Sequence, residues 1–209
     1  MPVLKALATY YETLEKVTLS EVLLRYLKLE GIDTVFGVPG QGVSWIIYTL
    51  AMSEKHDLPE PEDGIRYIIS RHDGSATFMA DGYARVSGKL GVCLVTSGPG
   101  ATNAVTGAAV AQADSSAVLT IGGEVSEEEF GRGGFQEGAD SGQDVVTMYR
   151  SVTDYSELVS NASNFQTITH AYLSPRFYSG SACRHSPAQH RAKARHRAGR
   201  RHCWVGGSL

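Results

Sequence analysis

The sequence predicts an α/β fold with a doubly wound, mostly parallel sheet and helices on both faces. Short apolar runs of strand length alternate along the chain with longer segments in which apolar residues recur at helical spacing. A strand that is followed by a helix and then another strand is typical of parallel pairing, because the helix carries the chain back across the sheet. The chain of 209 residues is long enough to bury one such core.

The helices and strands follow from local signals. Thr18 and Glu21 have the residue types and spacing of a capping box, so a helix begins after Thr18, and Gly31 is a plausible stop. The paired prolines Pro59 and Pro61 predict a loop over 53–64, and a long loop is expected over 122–142. We predict helices over 43–52, 75–87 and 101–111 and from Ser156, and strands over 34–38, 65–70, 91–96, 117–121 and 152–155.

The charge distribution divides the chain. Residues 1–170 carry all 22 acidic side chains, whereas residues 171–209 carry 8 of the 19 Lys and Arg and no acid. We therefore predict an N-terminal extension over 1–17, a domain over 18–170, and a disordered basic C-terminal tail over 171–209. The abrupt loss of apolar periodicity favours a misjoined or frameshifted reading frame for the tail. A basic arm for nucleic acid is the alternative, and nucleic-acid binding is the weaker expectation.

Composition argues against several other classes of protein. The sequence contains no apolar run long enough to span a bilayer, and residues 1–16 lack the pattern of a secretory signal, so we expect a cytoplasmic protein without membrane contact. Three cysteines do not make a disulfide framework. A zinc site built from Cys183, His185, His202 and Cys203 would fit no standard finger spacing, so no metal site is predicted.

Two strand ends carry the residues that point to chemistry. Asp73 follows one apolar run, and the Gly98-Pro99-Gly100 turn follows another and opens a helix. Ligands of α/β domains bind at the carboxyl ends of parallel strands, so these corners can surround a flat polar ring with one acid and several backbone groups. Asp73 could instead cap the following helix. The glycine turn could be a plain tight turn, and Asn103 replaces the third glycine of a dinucleotide fingerprint.

At these motifs the sequence resembles the N-terminal, pyrimidine-binding domain of thiamine-diphosphate enzymes of the acetolactate synthase, pyruvate oxidase and benzoylformate decarboxylase group. The resemblance runs from Thr18 to about Glu157, and several long motifs occur in the right order. They are Val35-Phe36-Gly37-Val38-Pro39-Gly40, Arg71-His72-Asp73-Gly74-Ser75-Ala76, Thr96-Ser97-Gly98-Pro99-Gly100-Ala101-Thr102-Asn103, Ala113-Asp114-Ser115 and Phe135-Gln136-Glu137.

The resemblance implies a role for each matching position. Asp73 stands where the family has a glutamate that hydrogen-bonds a pyrimidine ring nitrogen, which makes Asp73 the expected catalytic residue. Aspartate is one methylene shorter, so its carboxyl lies about 1.5 Å further back on an unchanged backbone, a displacement that can cost ~100-fold in rate. The cofactor-binding residues implied by the resemblance are Pro39, Gly40, Asp73, Pro99, Asn103 and Gln136.

In the family, a second domain marked by Gly-Asp-Gly and a later Asn-Asn holds the diphosphate and Mg²⁺, and this sequence contains neither motif. We therefore expect a thiamine-diphosphate half-site of a 2-oxo acid decarboxylase or an acetolactate-synthase-like carboligase, inactive alone. Such a chain would form a homo-oligomer or pair with a diphosphate-binding domain. The alternatives are a non-catalytic or regulatory subunit that pairs with a separate diphosphate-binding chain, and a protein that binds nucleic acid through its tail.

Overall fold

A computed structural model describes residues 18–53, 64–138, 143–160, 164–165 and 202–207. Within these residues the chain forms five α-helices, six β-strands and two short 3₁₀ turns at Gln41–Val43 and Glu127–Glu129. The helices are α1 (Leu19–Leu29), α2 (Ser44–Ser53), α3 (Asp73–Ser87), α4 (Pro99–Ala113) and α5 (Val145–Arg150). The strands are β1 (Thr34–Gly37), β2 (Arg66–Ile69), β3 (Gly91–Val95), β4 (Val118–Gly123), β5 (Tyr155–Leu158) and β6 (His202–Gly207).

The strands form one sheet in the order β2-β1-β3-β4-β6-β5, and every neighbouring pair is parallel. Strands β1, β3 and β4 lie inside the sheet and consist of buried residues, as expected where both faces are covered. Because the strands are parallel, the loops that follow β1, β2, β3 and β4 all emerge at the same edge of the sheet.

Helices cover both faces of the sheet. In β3, Val92 and Leu94 belong to a core shared with α1 and α2, whereas Cys93 and Val95 belong to a core shared with α3, α4 and α5. The second core is built largely of alanines from α3 and α4, which lets these two helices pack closely. The α/β doubly wound architecture predicted from the sequence is therefore confirmed.

Local signals set the helix ends that bear on the site. The predicted capping box is present, because Thr18 accepts from the Glu21 N–H and the Glu21 carboxylate accepts from the Thr18 N–H. Helix α3 begins at Asp73, two residues earlier than predicted, and ends at Gly88, which has a left-handed φ of 71°. Arg85 pairs with Asp81 one turn earlier and also with Asp114 at the end of α4, so it joins the two helices.

The structure differs from the prediction in the last part of the domain. The strand expected over 152–155 lies at Tyr155–Leu158, and the helix expected from Ser156 is wrong because Ser156 is inside that strand. Helix α5 lies between the expected loop over 122–142 and the expected strand, where no element was predicted, and it starts after Asp144, whose side chain accepts from the Thr147 N–H. The helix has an N-cap and two buried valines, but it is too short for an apolar period to be recognised in the sequence.

Six residues of the region predicted to be a disordered tail over 171–209 are described by the structure, and the disorder of the tail stays a prediction. His202–Gly207 forms strand β6 between β4 and β5, so these six residues belong to the sheet. Trp204 and Val205 are residue types enriched in strands, which is the local signal for this element. The N-terminal extension over 1–17 and the rest of the tail lie outside the described residues, as do Cys183 and His185 of the Cys and His set considered for zinc.

Candidate functional site

The loops that follow β1 and β3 meet at the carboxyl edge of the sheet. A Cβ added at Gly40 would lie 2.4 Å from Thr96 Cβ, so the loop after β1 lies directly against the residue that follows β3. A Cβ added at Gly100 would lie 2.7 Å from Thr96 Cγ2 and 3.1 Å from Asp73 Oδ1. Gly40, Thr96, Gly100 and Asp73 therefore form one contiguous cluster, and only glycine leaves room for these approaches.

Asp73 has an unusual environment for a carboxylate. The residue is 8% exposed, and its Oδ1 atom is buried without a hydrogen-bond partner in the part of the chain that the structure describes. A buried carboxylate oxygen without a donor is costly, and native proteins rarely keep one. The first turn of α3, where Asp73 lies, favours a negative charge through the helix dipole. This position therefore suits an anionic group that receives a hydrogen bond from a ligand.

Asp73 is not the residue that caps helix α3. His72 is the N-cap of α3, and its Nδ1 atom accepts a hydrogen bond of 3.1 Å from the Gly74 N–H. Asp73 is the first helical residue, and its backbone carbonyl accepts from the Thr77 hydroxyl. The alternative that Asp73 caps the helix is therefore wrong, and the carboxyl is left for another use.

The Gly98 turn lies against the loop that contains Gln136. Gly98 has a left-handed φ of 54°, and a Cβ added there would lie 2.5 Å from the Gln136 carbonyl oxygen. Gln136 itself has a left-handed φ of 62°, which is uncommon for a residue with a side chain. Two constrained backbone positions thus meet where the segment after β4 returns to the start of α4.

The other predicted site residues lie on the rim of this cluster. Pro39 and Pro99 are exposed, Pro99 as the first residue of α4 and Pro39 beside Gly40. Asn103 is exposed one turn further along α4, and its backbone carbonyl lies 2.9 Å from a Cβ added at Gly74. The structure therefore places all six predicted residues at one edge of the sheet, with Asp73 buried and the two prolines and Asn103 open to solvent.

Two residues at this edge were missed by sequence reasoning. Thr96 Oγ1 is buried and has no hydrogen-bond partner among the described residues, like Asp73 Oδ1 next to it. Glu124 follows β4 directly, is 4% exposed, and accepts hydrogen bonds from the Val125 and Gly138 N–H groups. The signal for both was available, since each is a polar residue that directly follows an apolar strand.

Burial controls the electrostatics around Asp73. Desolvation raises the pKa of the Tyr67 hydroxyl, with smaller contributions from Cys93 and Asp73. Desolvation also raises the pKa of the buried Cys93 thiol to about 12, so Cys93 stays protonated and unreactive at neutral pH. The Tyr67 hydroxyl is a third buried polar atom that lacks a partner within the described ranges. The Tyr67 hydroxyl and the Cys93 thiol are therefore uncharged at neutral pH.

Desolvation likewise raises the pKa of Glu124, against the opposing effect of its two backbone donors. In the described ranges, no group of three or more His, Cys, Asp or Glu side chains is arranged to hold a metal ion. Nor does any helix in those ranges have the length and apolar character needed to cross a membrane.

The buried acid and the glycine turns lie at the carboxyl edge of a doubly wound parallel sheet, which is where α/β domains bind their ligands. Residues 17–144 match the family described as "Thiamine pyrophosphate enzyme, N-terminal TPP binding domain". This match covers more than half of the chain, and the chain belongs to this family.

The relatives of the chain agree with this family. The chain is 40% identical over 149 residues to the acetolactate synthase large subunit of Buchnera aphidicola subsp. Schizaphis graminum, which covers 71% of this chain and 24% of the relative. It is 39% identical over 165 residues to that of Lactococcus lactis, covering 78% and 26%. It is 44% identical over 117 residues to a probable 2-ketoarginine decarboxylase of Pseudomonas aeruginosa, covering 56% and 19%. The chain thus spans about a quarter of the length of the relatives it matches or less.

Proposed function

We propose that the chain supplies the pyrimidine-binding half of a thiamine-diphosphate site in a 2-oxo acid decarboxylase or an acetolactate-synthase-like carboligase. The observation that carries this proposal is the Asp73 Oδ1 atom, which is buried without a partner in the described part of the chain. A protonated ring nitrogen would give this oxygen the donor that it lacks. An acceptor at this position suits the pyrimidine of the cofactor, and the family match supports the same assignment.

Thiamine diphosphate supplies an acidic carbon that becomes a nucleophile when the cofactor is bound. The contribution of this chain is to orient the ring and to hold a proton at its nitrogen. Asp73 would share that proton, and the burial of Asp73 would limit competition from water for the shared hydrogen bond. Gly40 and Gly100 leave space for the ring to approach the backbone, with Pro39, Pro99, Asn103 and Gln136 around it.

The diphosphate and Mg²⁺ would be held by a second domain, because the sequence contains neither Gly-Asp-Gly nor Asn-Asn and the described residues offer no metal cluster. The partner would be a diphosphate-binding domain, and the chain would form a homo-oligomer or pair with that domain. We propose that the chain as given is inactive by itself and works in the cytoplasm.

The decisive experiment combines the chain with the diphosphate-binding domain of a full-length acetolactate synthase relative and compares Asp73→Asn with Asp73→Glu. Cofactor affinity and proton exchange at the thiazolium carbon are measured for the parent and both variants. Asp73→Asn should slow exchange by ~100-fold or more, because an amide cannot share the ring proton as a carboxylate does. Asp73→Glu should retain or raise exchange, because it restores the reach found in the family. An Asn variant that exchanges like the parent would remove Asp73 from the mechanism.

A further inference from the structure

We propose that Glu124 is a positioning residue: its buried carboxylate fastens the chain at Gly138 and thereby holds Gln136 against the Gly98 turn. The segment between Glu124 and Gly138 is called the clasp loop here. The consequence for ligand binding rests on the function proposed above, whereas the fastening itself rests on contacts within the chain.

The clasp loop is closed at its two ends by one carboxylate. Glu124 Oε1 accepts from the Val125 N–H at 2.9 Å and from the Gly138 N–H at 3.1 Å, and Oε2 lies 3.2 Å from the same Gly138 nitrogen. The Gly138 carbonyl in turn accepts from the Val145 N–H at 2.9 Å. Gly138 is thus bound on one side to the end of β4 and on the other to the start of α5.

The fastening at Gly138 determines where Gln136 lies. A Cβ added at Gly138 would lie 2.9 Å from the Gly98 nitrogen and 3.1 Å from Glu124 Oε2, so Gly138 is wedged between the carboxylate and the turn. Gln136 is two residues away, and its carbonyl packs on Gly98. A shift at Gly138 would therefore move Gln136 away from the turn that also carries Gly100 and faces Asp73.

Hydrophobic burial does not hold the tip of the clasp loop. Phe135, a large apolar residue at the tip, is 78% exposed. The middle of the loop is held by a second carboxylate, because Glu137 accepts from the Gly131 and Gly134 N–H groups. Glu137 organises the tip of the loop internally, and Glu124 attaches the loop to the sheet. Hydrogen bonds to charged groups are the stronger class, so losing the Glu124 contacts should release the attachment.

The test compares three variants by hydrogen exchange of backbone amides in the chain alone. Glu124→Ala removes the acceptor, Glu124→Gln keeps an oxygen that can accept from both N–H groups, and Glu128→Ala removes a charge from an exposed position of the same loop. We expect Glu124→Ala to speed exchange of the Gly138 amide and of residues 131–138 by about tenfold or more. Glu124→Gln should recover most of the protection, and Glu128→Ala should match the parent.

Amides of β3 in the same samples report global stability. If they accelerate together with Gly138 in Glu124→Ala, Glu124 is merely a stability residue and the proposal is overturned. If Glu124→Ala fails to fold, Glu124→Gln decides, because unchanged β3 exchange with partial loss of protection at Gly138 supports the attachment. Protection at Gly138 equal to the parent in both Glu124 variants would also overturn it.

A second arm adds thiamine diphosphate, Mg²⁺ and the diphosphate-binding domain of a full-length acetolactate synthase relative to each sample. Cofactor binding should give residues 131–138 additional protection in the parent and in Glu128→Ala. A cofactor affinity about tenfold lower in Glu124→Ala supports the positioning role. Equal affinity in Glu124→Ala and the parent would contradict that role. No additional protection in the parent counts against the proposed function alone, since the first arm still decides whether Glu124 fastens the clasp loop.

Discussion

Gly107→Ala and Gly82→Ala make the same chemical change in neighbouring helices, and the structure predicts opposite effects on stability. Gly107 lies in α4 at its crossing with α3, where an added Cβ would be 2.7 Å from Thr77 Cβ and 2.9 Å from Thr77 Cγ2. Gly82 lies on the exposed side of α3, and an added Cβ there would meet nothing within 4 Å among the described residues.

The magnitudes follow from two competing effects. Alanine is better than glycine in a helix by ~1 kcal/mol, so Gly82→Ala should raise the free energy of unfolding by about 0.5–1 kcal/mol. Gly107→Ala gains the same amount but places two carbons more than ~0.8 Å inside their optimal separation. Thr77 Cβ is fixed to the backbone of α3, so the helices must separate, and overpacking of this kind costs ~1–3 kcal/mol. The net effect should be a loss of about 1–2 kcal/mol.

Urea unfolding followed by circular dichroism measures both effects. The midpoint should rise for Gly82→Ala and fall for Gly107→Ala at an unchanged slope. Adding Thr77→Gly to Gly107→Ala removes the Cβ and Cγ2 atoms that the new methyl group would contact. The double variant should therefore be more stable than the sum of the two single effects predicts. A Gly107→Ala chain as stable as the parent would show that α3 and α4 do not approach each other as the structure has them.

Three further predictions concern the rest of the fold. Tyr149→Phe should lower the free energy of unfolding by ~1 kcal/mol in urea, because the buried hydroxyl donates to the Ala101 carbonyl; an unchanged midpoint contradicts this. Hydrogen bonds, first from Lys89, lower the pKa of Asp33 in the fold, so its stabilising contribution is present above pH ~4 and is lost as the pH falls further. Asp33→Asn should flatten the acid limb of stability measured from pH 5 to 2, and an equally steep limb contradicts the assignment. Deleting residues 202–209 should lower the melting temperature by several degrees, because β4 and β5 both lose their pairing partner; an unchanged value would favour a disordered tail.

The parts of the fold that the sequence predicts are those with strong local signals. The run 91–95 is apolar throughout and bounded by turns, so β3 is recognisable without knowledge of its neighbours. Helix α5 has only six residues, fewer than two turns, and no apolar period can be established over that length. Strand β6 lies in a segment whose composition argues for disorder, and its partners β4 and β5 are distant in sequence.

The residues of the candidate site likewise fall into those with a local sequence signal and those without one. Asp73 and Gly98 follow strands and were predicted because the rule for the carboxyl edge of a parallel sheet is local. Thr96 and Glu124 also follow strands, but their roles depend on contacts with other segments of the chain. Glu124 depends on Gly138, which is 14 residues away in a loop that has no period of its own.

The two buried carboxylates at the edge give the sharpest contrast between stability and function. Glu124 is 4% exposed and uses both oxygens, whereas Asp73 is 8% exposed and its Oδ1 has no donor among the described residues. A buried acceptor that lacks a hydrogen-bond donor costs ~1–3 kcal/mol, and the helix dipole at the start of α3 returns only part of this. Asp73→Asn should therefore leave the chain as stable as the parent or about 1 kcal/mol more stable, while Glu124→Ala lowers stability.

The urea midpoints of Asp73→Asn and Glu124→Ala test whether Asp73 is kept for a ligand although it lowers the stability of the fold. Asp73→Glu is the control for size, because it keeps the charge and adds one methylene beside Gly100. A clear loss of stability in Asp73→Asn would mean that the carboxylate already has a partner in the folded chain. The buried acid would then be part of the fold, and the proposed pyrimidine contact would lose the observation that carries it. A site that binds through an unsatisfied group should show the opposite, since stability is given up where a ligand restores it.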